Sequence, residues 1–267
     1  MDCPVLTSDE KLPEAHKISR FLHSYVTEDI PNTDNYLLLS NDGLSFNSNT
    51  KDGRRELRID FLKGAMGWRL RRPEHEKQLK KAIGKTTERL TIFDGTAGML
   101  ADSMIFLSLG HKVIACEQSK IIFLLIRDAC KRSEEALPFL KNLKLVHGNS
   151  AEIYKSYNKS DLIYLDPLYP DSSKSSKRSG DIELLRKAID LESIKDMGDE
   201  IFHEFRTSEH KKIILKRPIK DSHRSNSQLV LGQGARHDPH GPGPHQSQTC
   251  ASAARPSRCL CWHHLRS

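Results

Sequence analysis

No uninterrupted apolar run in the 267 residues approaches the ~20 that a bilayer-spanning helix requires, which excludes a helical membrane protein. Nor does an apolar block follow basic residues at the amino terminus, where Met1 to Glu10 carries early acids instead. Neither a secretory nor a transit signal is legible, and a cytoplasmic location is expected. Cysteine is too scattered for a disulfide framework: the six lie at 3, 116, 130, 250, 259 and 261, with Cys116 and Cys130 in apolar segments that suit small buried thiols. Paired CxxC or HxxxH spacing of the usual kind is lacking. The His- and Cys-containing stretch from Arg236 to Ser267 therefore reads as an unstructured tail rather than a zinc site, and no metal is expected. Also missing is GxGxxG, and with it the usual signature of a nicotinamide dinucleotide site.

What is present is enough chain for one full α/β core with a small appendage. The net charge of +7 is concentrated, since Lys51 to Lys85 holds twelve Lys/Arg against five Asp/Glu. Such a cluster either attracts phosphates through counterion release or is a solvated helix face. Ahead of it, Leu12, Ala15, Ile18, Phe21, Leu22 and Val26 recur at helical spacing, and Tyr36 to Ser40 and Leu44 to Asn47 flank an Asn41-Asp42-Gly43 turn that closes a hairpin. A further short strand is expected at Leu57 to Phe61. From Leu90 the pattern becomes strand and helix in alternation. Strands are expected at Leu90 to Asp94, Lys112 to Glu117, Leu143 to His147, Asp161 to Asp166 and Lys211 to Lys216. Helices are expected at Met99 to Leu109, Ser119 to Arg132, just after Ser150, and around Asp181 to Phe205. A doubly wound sheet follows, with its ligand crevice at the carboxyl ends of the strands.

The chemistry-bearing residues cluster at those strand ends. Asp94-Gly95-Thr96-Ala97-Gly98 is a glycine turn leading into a helix, where the backbone can approach a ligand closely. Glu117, twenty-three residues on, stands where a carboxylate can bind both ribose hydroxyls of an adenosine. His147-Gly148-Asn149-Ser150 either offers small polar groups to an adenine edge or is an ordinary strand-to-helix loop. The most telling segment is Asp166-Pro167-Leu168-Tyr169-Pro170 at the end of the fourth strand. An exocyclic amine on a base is a poor nucleophile because its lone pair is delocalised into the ring. A carboxylate from Asp166 and the carbonyl of Pro167 accept its two protons and aim the nitrogen at a methyl donor, while Tyr169 offers a face on which a flipped base can stack.

Taken together, Asp60-Phe61, Gly64-Ala65-Met66, Lys81-Ala82-Ile83-Gly84, the run from Asp94 to Asp102, Glu117, the Asp166 to Pro170 box and Lys216-Arg217-Pro218 resemble the bacterial small-subunit ribosomal RNA guanine-N2 methyltransferase family J, over about residues 36 to 238. That resemblance implies a class I, Rossmann-like methyltransferase fold, S-adenosylmethionine as donor, and a guanosine of 16S rRNA, free or in an assembling 30S subunit, as acceptor. It places cofactor contacts at Ala101, Asp102, Glu117, Gln118, Asn149, Ser150 and Asp166, beside Asp94, Gly95 and Gly98 of the turn. Leu100 and Ala101 depart from the family, which has glycine and arginine there. The RNA contacts expected are Arg69, Arg71, Arg72, Lys216 and Arg217. The expected organisation is a small amino-terminal α/β platform (1–62), a basic helical linker (63–89), a methyltransferase core (90–235) and a tail (236–267), as a monomer. An amino methyltransferase acting on DNA adenine or another RNA, or an inactive RNA-binding relative, are the alternative readings.

Overall fold

Strands with apolar residues on both faces need cover on both sides, and that requirement organises this chain. The computed structural model describes residues 2–169, 180–195, 200–218 and 227–233. In chain order the amino-terminal part comprises β1 (Val5–Thr7), α1 (Leu12–Leu22), β2 (Val26–Thr27), β3 (Asn35–Ser40), β4 (Gly43–Thr50) and β5 (Gly53–Leu57). Helices α2 (Gly64–Arg71) and α3 (Lys77–Ile83) follow. The rest is β6 (Thr91–Asp94), α4 (Ala101–Ser108), β7 (Lys112–Glu117), α5 (Lys120–Ser133), β8 (Leu143–His147), α6 (Ser150–Tyr154), β9 (Leu162–Leu165), α7 (Gly180–Leu191), α8 (Glu200–Arg206), β10 (Lys212–Pro218) and β11 (Ser227–Gln233).

The large sheet runs β11-β10-β9-β6-β7-β8, parallel throughout except for β11, which pairs antiparallel with β10. Alternation along the strands sorts side chains between two cores. Ile92, Leu162, Tyr164 and Ile214 face one, together with Leu107 of α4 and Leu125 of α5. Phe93, Ile163, Leu165, Ile213 and Leu215 face the other, with Ile153 of α6 and Phe205 of α8. This is the class I methyltransferase arrangement expected from the sequence, with a small mixed sheet, β2-β1-β3-β4-β5, attached at the amino terminus.

Several boundaries differ from expectation for physical reasons. The strand expected at Leu57 to Phe61 ends where it was to begin: β5 occupies Gly53–Leu57, because the Lys51-Asp52-Gly53 turn folds it back onto β4. The basic segment 63–89 carries helices α2 and α3, and its second helix packs on the core. Leu79 and Ala82 enter the same apolar cluster as Phe46 of β4 and Leu125 of α5. The single long helix expected around Asp181 to Phe205 is two, interrupted after Leu191, where Ser193 takes a left-handed φ of 52°. Glu192 turns away there to the start of α5: its carboxylate accepts from the Ser119 hydroxyl and from the amides of Lys120 at 2.8 Å and Ile121 at 3.0 Å. A carboxylate at a helix amino terminus satisfies orphan donors and complements the dipole. The tail at 236–267 lies outside the described residues. Among the described residues no helix is long and apolar enough to cross a membrane.

Candidate active site

The ends of β6, β7, β8 and β9 open into one cleft of about 440 Å³, a volume suited to a nucleoside-sized ligand. Its lining includes the expected Asp94, Gly95, Gly98, Ala101, Asp102, Glu117, Gln118, Ser150, Asp166 and Pro167. Residues distant in the chain, such as Asp102 and Asp166, thus meet in one place. The far wall comes from α7 and the residues after it, through Ile182, Leu185, Ile189 and Ile194.

At the glycine turn, Gly98 has φ of 50°, which lets its amide donate to Glu117 Oε2 at 2.9 Å. The Ser119 amide donates to the other oxygen at 2.8 Å. Burial pushes the Glu117 carboxyl up to about 7, against those two hydrogen bonds and with help from the charges of Glu192 and Asp94. Asp94 is likewise pushed up to about 7, mainly by burial, although it accepts from the Ser103 hydroxyl and the Thr96 amide. Leu100, where glycine was the family expectation, keeps a left-handed φ of 60° and is fully buried. That conformation costs about 1–2 kcal/mol for a side-chain-bearing residue, which burial of a leucine, worth roughly 1.5–3 kcal/mol, offsets.

Beneath the cleft lies a charged network. Lys216 Nζ bridges Asp102 Oδ2 at 2.8 Å and Asp166 Oδ2 at 2.7 Å. Arg69 donates to Asp102 Oδ1 at 2.8 Å, to Glu76 at 2.7 Å and to the Ala101 carbonyl at 3.3 Å. The Tyr164 hydroxyl completes the shell of Asp102 at 2.5 Å. Burial opposes the Asp102 charge, but Lys216, together with hydrogen bonds from Tyr164 and Arg69, holds this carboxyl below its ordinary range. Asp166 goes the other way: burial raises it, and the single lysine contact only partly offsets that. Its amide is anchored by the Thr96 hydroxyl at 2.6 Å, which fixes the Asp166-Pro167 segment against the glycine turn.

Three sets of expected site residues stand elsewhere. Arg69 and Lys216, expected on RNA, are committed to Asp102, Glu76 and Asp166, with side chains only 24% and 26% exposed. In this arrangement both cations are already engaged within the fold. Asn149 is absent from the lining, because its side-chain oxygen caps α6 by accepting from Ala151 and Glu152. Tyr169 is half-buried outside the lining, its carbonyl held by Arg186. Arg71 at the end of α2 and Arg72 just after it are exposed, and Arg217 is half-buried on β10. Sequence reasoning missed Thr96, Ser103, Tyr164 and Glu192. Nothing local marks them, since each acts on a partner far along the chain or across a turn. Among the described residues no cluster of His, Cys, Asp or Glu could hold a metal ion.

Comparison with known proteins agrees with this geometry. Residues 22–236 match the family described as "Putative SAM-dependent methyltransferase". The ribosomal RNA small subunit methyltransferase J of Desulfotalea psychrophila is 31% identical over 224 residues, covering 80% of this chain and 85% of that protein. The protein of the same name from Francisella tularensis subsp. novicida is 29% identical over 217 residues, covering 78% and 87%. The SAM-dependent methyltransferase NGO1261 of Neisseria gonorrhoeae shares the fold, with a TM-score of 0.57 at 21% identity over 88% of this chain and 98% of that one. A cleft at the strand ends, walled by aliphatic side chains and rich in carboxylates, suits a cationic adenosine-bearing group, so S-adenosylmethionine is the cofactor, and the chain belongs to the S-adenosylmethionine-dependent methyltransferase family that includes these J-type proteins.

Proposed function

We propose that this protein methylates the exocyclic N2 amine of a guanosine in 16S ribosomal RNA. The observation that carries the reading is the Asp166-Pro167 segment, pinned in the lining of the cofactor cleft by Thr96 and Lys216. The names of the J-type relatives, which are ribosomal RNA methyltransferases, support the substrate class.

In this reading Glu117 binds the ribose hydroxyls, Gln118 and Ser150 meet the adenine, and the backbone around Gly95 to Ala101 holds the amino-acid end, with Asp102 and its partners fixing that backbone from below. S-adenosylmethionine, when bound, supplies an electrophilic methyl group on a cationic sulfur. Because Asp166 Oδ2 is taken by Lys216, Oδ1 is the oxygen that accepts one amine proton, and the Pro167 carbonyl accepts the other. Fixing the nitrogen in line with the methyl is a proximity effect that supplies several kcal/mol of the barrier, on the order of 7–11 for a fully aligned pair. The nitrogen must shed a proton once it is alkylated. Asp166, whose affinity for a proton is raised by burial, is placed to take it. Tyr169, on the same loop, stacks the flipped base when RNA is bound.

Mass mapping of methylated guanosine in ribosomal RNA from cells with and without the protein tests the proposal. Loss of one N2-methylguanosine in 16S RNA is expected; an unchanged methylation map, or label recovered in adenine, would overturn it.

A further inference from the structure

One face of α2 supports the cofactor cleft and the opposite face is bare. Gly67 and Arg69 turn inward. A Cβ on Gly67 would lie 2.3 Å from the Leu62 carbonyl oxygen, so only glycine lets the helix seat there, and Arg69 reaches Asp102 and Ala101 at the cleft. That seating sends the residue between them, Trp68, outward with 45% of its surface exposed. Leu62, 40% exposed, precedes the helix, its carbonyl against Gly67. The Arg72 guanidinium sits 5.3 Å from the Trp68 ring centroid, and the His75 ring lies 5.6 Å away. Lys63, Arg71 and Lys77 are exposed along the same stretch of chain, Lys63 lying 3.7 Å from Asp60 and His75 3.5 Å from Glu74, and among the described residues Arg71 and Arg72 form no ion pair. The indole is thus left in water with a guanidinium beside it, an arrangement that suits a flat, electron-rich ligand.

We propose that Trp68 is a stacking platform for an unpaired nucleobase of the RNA substrate, with Arg71, Arg72, Lys63 and Lys77 holding the flanking phosphates. The proposal rests on the RNA reading above and adds to it a place and a preference. A base has a π face that an indole matches whatever its sequence, and the guanidinium of Arg72 stiffens the ring and adds cation–π attraction. A duplex hides its base faces, so the platform selects single-stranded or looped RNA. Trp68 is one residue along α2 from Arg69, which places the platform about one helix diameter, ~10 Å, from the cleft floor. A strand held there can present a neighbouring, flipped nucleotide to Asp166.

The test is binding of a labelled single-stranded oligoribonucleotide of about ten nucleotides, and of its duplex, to the full chain and its variants. Trp68→Ala should weaken single-strand binding about 5- to 150-fold, leave the duplex nearly unaffected and leave the salt slope intact, while Trp68→Phe retains most of the affinity. Replacing Arg71 and Arg72 by Gln should instead lower the log–log salt slope by ~0.7 for each phosphate no longer neutralised. Unchanged affinity for S-adenosylmethionine serves as the control for folding. Single-strand binding by Trp68→Ala equal to wild type, or an equal loss on duplex and single strand, would overturn the platform. If wild type methylates ribosomal RNA in that case, the functional reading survives alone. If wild type methylates no RNA but the single-strand loss is observed, the platform stands and the functional reading falls.

Discussion

Lowering the pH from about 8 to about 6 should weaken S-adenosylmethionine binding, and the size of the effect follows from two carboxyls in the cleft. Glu117 and Asp94 are both pushed up to about 7, chiefly by burial, with the charges of Glu192 and Asp94 adding to the first and those of Asp102 and Asp166 to the second. Above that value both are ionised and the cleft is ready for a cationic ligand with ribose hydroxyls to donate. Below it they hold protons that binding must expel. A group that titrates at about 7 free, and is ionised when bound, reduces affinity ~10-fold at one pH unit below that value, since one unit corresponds to about 1.4 kcal/mol. One expelled proton therefore predicts a ~10-fold loss near pH 6, and two predict up to ~100-fold. Calorimetric titration in two buffers of different ionisation enthalpy counts the protons directly: release should be near zero at pH 8 and approach one or two near pH 6. Glu117→Gln should remove one proton from that count. S-adenosylhomocysteine, with a neutral sulfur, separates the causes. A slope that persists with it points to the ribose hydrogen bonds, and a slope that vanishes points to charge. A flat affinity profile with no proton release between pH 8 and 6 would refute the reasoning.

The other expectations concern the network around Asp166. Asp166→Asn should abolish methyl transfer while S-adenosylmethionine still binds, read by single-turnover assays and titration; turnover at the wild-type rate would remove Asp166 from the reaction. Lys216→Met leaves Asp102, 7% exposed, without its principal counter-charge, and should cost roughly 3–5 kcal/mol in a denaturation experiment, less whatever Arg69 retains. Full stability in that variant would show that the network is not a structural core. Glu192→Ala strips three hydrogen bonds from the start of α5 and unseats the end of α7, which carries Ile189 into the cleft wall. The fold should lose about 1–3 kcal/mol, and cofactor affinity should fall with it; unaltered affinity would mean that the wall holds its place without Glu192.

The periodicity of apolar residues by itself determined the alternation of strand and helix from Leu90 onward. A buried parallel strand must be apolar on both faces, and β7 and β8 fall where the pattern puts them. Local chemistry likewise marked the glycine turn, Glu117 and the Asp166-Pro167 box, because these sit at strand ends whatever the tertiary details. What the pattern could not carry was the use of each charge. Arg69 and Lys216 look like any other cations in a basic chain, and only packing shows them spent on Asp102 and Asp166. The same holds for Glu192, whose partners lie more than 70 residues away, and for Asn149, whose oxygen went to its own helix. Trp68 is the converse case, a residue no local pattern singles out and that the seating of Gly67 turns outward. Strand and helix identity are set by neighbours within a few residues, so sequence records them. The pairing of charges and the facing of a lone side chain depend on which distant surfaces meet, and that is decided only when the sheets and helices pack.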